Sequence, residues 1–268
     1  MFSYIIQGIL QGLTEFLPVS SSGHLTLFQY FTGSHNHDAN MLTDIALHFG
    51  TLLAVIFFFR ADLMPYFTSS GWKDAGRRRL ALLIVLGSIP TAIIGLVFKD
   101  HFEALFSMPM AVSAALFVTG MLLLASEKLK KSTRQSELYD FSGYRAAIVG
   151  LAQGLAITPG ISRSGSTIAT SLLLGLKGED AARLSFLLMI PAVGGATLLE
   201  AKDLFEVGLP ATVDAVGLAL GAIAATVTGF LSLKFLVYII REQKLSYFAY
   251  YLFLISVTSM ILIQFAGK

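Results

Sequence analysis

The sequence predicts an all-α membrane protein with six transmembrane helices and two re-entrant helical hairpins in an inverted-topology internal repeat, forming one integral domain over residues 1–268. Three observations lead there. Of the 268 residues, 55% are hydrophobic before the 24 glycines are added, and only 13% are charged, too few to coat a soluble surface. Six stretches supply the roughly 20 apolar residues that cross a bilayer core about 30 Å thick, and the ten-residue alternation of a membrane barrel is missing. Finally, one polar motif occurs twice, in segments that interrupt apolar runs.

The elements follow in chain order. Residues 2–17 are apolar but are cut off by a Pro- and Ser-rich break, predicting the first hairpin. Spans are expected near 42–59, 80–98 and 108–126, a second interrupted helix at 145–157, and further spans near 181–199, 215–240 and 246–265. Backbone broken at membrane depth survives only where protein or a watery cavity satisfies its polar groups. The first break, GILQGLTEFLPVSSSG from Gly8, aligns with GLAQGLAITPGISRSG from Gly150 at an offset of 142, with seven of sixteen positions identical, including Gln11/Gln153 and Ser20/Ser162. The same offset superimposes the spans, giving repeat halves of about 1–126 and 143–268. Each half holds an odd number of crossings, so the second is inverted. Pro90 and Pro191 mark kinks in spans of opposite halves.

Lys and Arg orient the chain by the positive-inside rule. With both termini outside, fourteen fall in inner loops and only Lys99, Lys202 and Lys268 in outer ones; Arg163 and Lys234 lie within the membrane, Lys234 snorkelling inward. The N-terminus lacks a basic leader and a small-x-small cleavage site, so it is read as part of the fold. A formal charge of +2 argues against a nucleic-acid partner, and the absence of cysteine excludes disulfides, thiolate metal sites and thiol nucleophiles.

Ionisable groups at membrane depth default to a functional reading. Gln11 and Glu15, four apart, share a helix face; the chain then turns through Ser20, Ser21 and Ser22 to His24, and the second break adds Ser162, Arg163, Ser164 and Thr167. A purely structural Glu15–Arg163 pair with capping serines is the alternative. Helices restarting near Gly23 and Ser166 would aim their N-termini at the midplane, where free N–H groups bind anions, and Arg163 adds a fork suited to phosphate. Ser21 or His24 could attack phosphorus, with Glu15 orienting the histidine, acting as base, or holding a divalent cation, Mg2+ or Ca2+. Gln11 could donate to phosphate or share a packing role with Gln153. Asp44 and His48, also four apart, are read as an interfacial pair rather than as site-lining residues.

At GLTEFLPVSSSGH and PGISRSGST the sequence resembles the bacitracin-resistance type of undecaprenyl-pyrophosphate phosphatase, whose pattern is E/Q-x-x-x-E, a serine-rich loop and a histidine, then P-G-x-S-R-S-x-x-T. ALHFGTLLAV from Ala46 and SFLLMIPAVGGA from Ser185 extend the likeness over essentially the whole chain. The resemblance implies hydrolysis of the lipid pyrophosphate to the monophosphate carrier of cell-wall synthesis, bacitracin resistance, a divalent-cation requirement, and a site reached from the outer face of the bacterial inner membrane. Gln11 stands where many members have Glu, leaving Glu15 as the surer metal ligand. Partners would be the lipid pyrophosphate and the bilayer, and a homodimer is compatible. A weaker similarity to acid-phosphatase-like lipid phosphatases fails on their missing Lys/Arg motif and second His/Asp pairing. The opposing reading is a secondary transporter or flippase for a phosphate-bearing lipid, because broken helices meeting at the midplane also serve alternating access.

Overall fold

A computed structural model describes residues 1–33, 37–129, 136–207, 214–242 and 244–266. Among them are twelve α-helices: α1 (Phe2–Phe16), α2 (Ser21–Phe31), α3 (His37–Phe58), α4 (Arg60–Leu63), α5 (Ala75–Val97), α6 (Lys99–Phe106), α7 (Pro109–Lys128), α8 (Gly143–Leu155), α9 (Arg163–Leu173), α10 (Gly178–Val207), α11 (Ala215–Glu242) and α12 (Ser246–Ala266). The only extended pairing in the described residues is an isolated bridge between Ser136 and Leu176. Six helices contain segments long and apolar enough to cross a bilayer, Asn40–Phe58, Ala75–Val97, Pro109–Lys128, Gly178–Asp203, Ala215–Ile240 and Ser246–Phe265, close to the expected spans. Lys130, Lys131, Arg134 and Lys268, four of the residues used for orientation, lie outside the described residues.

The boundaries have local causes. α5 starts five residues before its apolar run because the Asp74 carboxylate accepts from the Arg77 N–H at 2.7 Å, capping a first turn that carries three arginines. Pro90 and Pro191 lie inside α5 and α10. At the start of α11, Asp214 accepts from the Gly217 N–H at 2.8 Å and meets the Met1 amino group at 3.0 Å, tying the beginnings of α1 and α11 together. The Gly217 N–H and the amino group hold this carboxyl below its ordinary value.

α1 and α8 are too short to cross a bilayer at 1.5 Å per residue. Each lies along a long helix of the other half: α1 along α11, α8 along α5. Lipid offers helices little hydrophobic reason to associate, so close backbone approach has to supply the contact. A Cβ at Gly8 would stand 2.2 Å from the Gly221 carbonyl oxygen, and one at Gly150 would stand 1.9 Å from that of Gly87. The identity of Gly8 and Gly150 in the two motifs is thus a packing requirement. Outward faces are apolar, as at Val85, Ile89, Ile93 and Leu96 of α5, whereas Gln11, Glu15, Ser162 and Thr167 are buried.

Candidate active site

Both breaks arrive at one place. α1 ends at Phe16, the chain turns through Pro18, and α2 restarts at Ser21; α8 ends at Leu155 and α9 restarts at Arg163. These restarts come two and three residues before the expected ones at Gly23 and Ser166. Their N-caps are Ser20, accepting from the Gly23 N–H at 3.2 Å, and Ser162, accepting from the Gly165 N–H at 3.0 Å. The tips interlock: a Cβ on Gly23 would meet Gly160 Cα at 3.0 Å, one on Gly165 would meet Pro18 Cβ at 3.3 Å, and Ser164 Oγ donates to the Leu17 carbonyl at 3.1 Å. Ser20 has φ +69°, a left-handed value costing a non-glycine residue about 1–3 kcal/mol. That turn delivers Ser21 to Glu15.

Glu15 is the centre. Its Oε1 accepts from Arg163 Nη2, and its Oε2 accepts from Ser21 Oγ and, at 3.1 Å, from Gln11 Nε2. All four side chains belong to interrupted helices or to their restarts, and the Arg163 contact crosses from one half of the chain to the other. Arg163 is the first residue of α9, where the helix dipole adds to its charge. Two buried atoms here, Arg163 Nη1 and Gln11 Oε1, have no hydrogen-bond partner among the described residues. Buried polar atoms are satisfied in most native structures. One spare donor beside one spare acceptor suits a ligand with anionic oxygens and a bound cation.

The remaining expected residues divide. Ser20 and Ser22 face each other at 3.3 Å, as do Ser162 and Ser164 at 3.2 Å. Thr167 spends its hydroxyl on the carbonyls of Arg163 and Ser164 and on Ser185 at 2.6 Å, which fastens α9 to α10. His24 is three residues from Ser21 on α2, hence on the same side of that helix.

The idea that Glu15 orients His24 is corrected here: His24 Nδ1 is 2.8 Å from the Ser20 carbonyl, and Nε2 is 2.8 Å from the hydroxyl of Tyr251 on α12. Of Asp44 and His48, for which an interfacial pair was expected, His48 proves to lie beside Glu15. His48 Nδ1 donates to the Asp44 carbonyl at 2.8 Å, and Nε2 stands 4.0 Å from Glu15 Oε2. Tyr251 escaped the sequence reading altogether, since it lies in an aromatic-rich span with no motif around it. Lys234, expected to snorkel, has its ammonium 4.8 Å from the Phe230 ring centroid.

Glu15 and Gln11 could offer a cation only a few oxygens. No cluster of three His, Asp or Glu side chains gathers among the described residues. A hard cation such as Mg2+ nevertheless takes one or two protein oxygens and completes its shell from phosphate and water. A carboxylate has about four lone-pair directions, so Glu15 keeps capacity beyond its three donors, and Gln11 Oε1 is unpartnered.

Residues 4–258 match the family model described as bacitracin resistance protein BacA. Similar proteins include the undecaprenyl-diphosphatase of Halothermothrix orenii, 45% identical over 98% of each chain, and that of Carboxydothermus hydrogenoformans, 42% identical over 100% of this chain and 98% of the other. That of Methanosphaera stadtmanae is 41% identical over 98% of each. With a family match over nearly its full length and six apolar helices, the chain is a multi-pass membrane protein belonging to the bacitracin resistance protein BacA family.

Proposed function

We propose that the protein hydrolyses undecaprenyl pyrophosphate to undecaprenyl phosphate and inorganic phosphate, recycling the cell-wall lipid carrier and so conferring bacitracin resistance. The observation that carries this reading is the Ser21 hydroxyl donated to a buried carboxylate that is also held by Arg163. A nucleophile and an oxyanion-stabilising cation are thereby both held on the base between them.

In this reading the Ser21 oxygen attacks the terminal phosphorus and its proton passes to Glu15. The bond from that phosphorus to the bridging oxygen breaks, and the lipid monophosphate leaves while Arg163 neutralises the developing charge. Water then attacks the phosphoserine phosphorus and the bond to the Ser21 oxygen breaks; His24 Nε2 takes the water proton, Glu15 returns its proton to the Ser21 oxygen, and inorganic phosphate leaves with the proton that His24 gives up. The free N–H groups at the starts of α2 and α9, with the hydroxyls of Ser20, Ser22, Ser162 and Ser164, would hold phosphate oxygens. Glu15 and Gln11 would hold a divalent cation, Mg2+ or Ca2+, which supplies neutralisation of the pyrophosphate charge.

α1, α2 and α3 correspond to α8, α9 and α10 at an offset of about 142, α5 and α7 correspond to α11 and α12, and the partner exchange of α1 with α11 and α8 with α5 has the form expected of an inverted repeat. This supports reading the two broken pairs as re-entrant hairpins entering from opposite faces. The charge count supports both termini outside, and the family leads us to read the membrane as the inner membrane and the site as open outward. A homodimer is compatible with this picture, and mass in detergent measures it. The transporter reading accounts for the broken helices but gives no use to a serine hydrogen-bonded to a carboxylate. Purified protein in detergent should release phosphate from the lipid pyrophosphate, and should stop when a chelator removes divalent cations; no release with cation present would overturn the enzyme reading.

A further inference from the structure

Resting on the role just given to His24, the structure assigns Tyr251 as the positioning residue that holds the His24 ring in one orientation, with Nε2 as its proton-accepting nitrogen. His24 is 8% exposed and has two ring contacts, both at 2.8 Å. The Ser20 carbonyl can only accept, so Nδ1 carries the proton and donates it. Nε2 is then the acceptor, and the Tyr251 hydroxyl is its donor. One hydrogen bond fixes the tautomer; the other fixes the direction in which the lone pair points.

The rings reinforce this arrangement: they are parallel within 3°, with centroids 5.7 Å apart. Tyr251 is itself placed from outside the site. α12 packs along α7, where Ser256 Oγ donates to the Ser113 carbonyl at 2.6 Å and Ser259 Oγ to Ser113 Oγ at 2.8 Å. α7 in turn packs against both α2 and α9. The last span of the chain therefore carries a hydroxyl to a histidine 227 residues earlier. Because Nε2 has a single lone pair, the Tyr251 hydroxyl must give way there to the reacting water, and the side chain, 40% exposed, reacts with nothing itself.

The test is Tyr251→Phe, which keeps the stacked ring and removes only the O–H. We expect kcat to fall about tenfold, the effect of losing one orienting hydrogen bond, with KM for the lipid pyrophosphate and the melting temperature in detergent unchanged. In a His24→Ala background the same substitution should change nothing further, as coupled residues require. In protein labelled with 15N-histidine, the Nε2 resonance that His24→Ala deletes should move in Tyr251→Phe. Wild-type kcat and an unmoved resonance in Tyr251→Phe, with His24→Ala inactive, would overturn the positioning role and leave the histidine's role intact. Full turnover in His24→Ala would overturn the histidine's role and the positioning role with it. An equal loss from Tyr251→Phe with and without His24 would also overturn the proposal, because the hydroxyl would then act elsewhere.

Discussion

Ser21 donates its hydroxyl hydrogen bond to Glu15 across the first break, so the proposed nucleophile is already paired with its proposed base. His24, the competing nucleophile, has no carboxylate on its ring. The expected consequence is a covalent intermediate on Ser21. Rapid acid quenching during turnover of a substrate labelled in its terminal phosphate should trap an acid-stable phosphoserine, and Ser21→Ala should lose both the label and at least about 10²-fold in kcat. Phosphohistidine is acid-labile, so label that survives only alkaline quenching would transfer the nucleophile's role to His24.

Arg163 joins the two halves of the chain through Glu15. If it also clamps the pyrophosphate, Arg163→Lys keeps the charge and loses the planar fork, and turnover should drop sharply with little change in melting temperature. Arg163→Ala should destabilise by about 3–5 kcal/mol, because a buried carboxylate loses its cation. Adding Glu15→Gln to Arg163→Ala should restore stability without restoring phosphate release. Recovered hydrolysis in the double variant would reduce Arg163 to a structural counter-ion.

What could be read in advance follows from the physics of each feature. Hydropathy reports the bilayer, so the spans were legible; it does not report helix beyond the bilayer, so the arginine-bearing first turn of α5, capped by Asp74, was not. The convergence of Glu15, Ser21 and Arg163 was legible because two interrupted apolar runs carried matching polar motifs. Tyr251 was not, since nothing local distinguishes it, and the spacing of His48 from Asp44 did not show that His48 faces Glu15. Tyr251 stands among Tyr247, Phe248 and Tyr250, where aromatics are ordinary, and His48 gains its place only because α3 packs beside α1.

His48 yields its own prediction. With Nδ1 committed to the Asp44 carbonyl and Nε2 4.0 Å from Glu15, it adjusts the field at the carboxylate without forming a hydrogen bond to it. His48→Ala should therefore reduce kcat/KM by roughly 3- to 10-fold, about 1 kcal/mol, the scale of a modest interaction. The loss should not add to that of Glu15→Gln, because residues sharing a partner couple. Additive losses in a double-variant cycle would place its action away from Glu15.

The orientation can be tested in a chain that contains no cysteine. Ser70 lies between α4 and α5, on the side the basic residues assign to the cytoplasm, and Glu103 lies on α6, on the opposite side; both are exposed. In intact cells Glu103→Cys should react with an impermeant thiol reagent, and Ser70→Cys should react only after the cells are opened. The reverse pattern would invert the topology and overturn the proposed outward opening of the site.

The packing of α8 on α5 leaves no space for a methyl group. A Cβ at Gly150 would fall 1.9 Å from the carbonyl oxygen of Gly87, which is backbone and cannot swing aside, whereas a Cβ at Gly195 would meet nothing within 4 Å. Gly150→Ala must push the two helices apart, and overpacking of this kind typically costs about 1–3 kcal/mol. Since α8 leads directly into the Ser162–Arg163 tip, the same displacement should move Arg163 relative to Glu15 and lower kcat as well as the melting temperature. Gly195→Ala, the matched control, should change neither. Melting curves and phosphate release measured on both variants in one detergent decide the matter: if Gly150→Ala lowers stability but leaves kcat untouched, the tip is positioned by its contacts with α2 and α7 rather than by the α5–α8 contact.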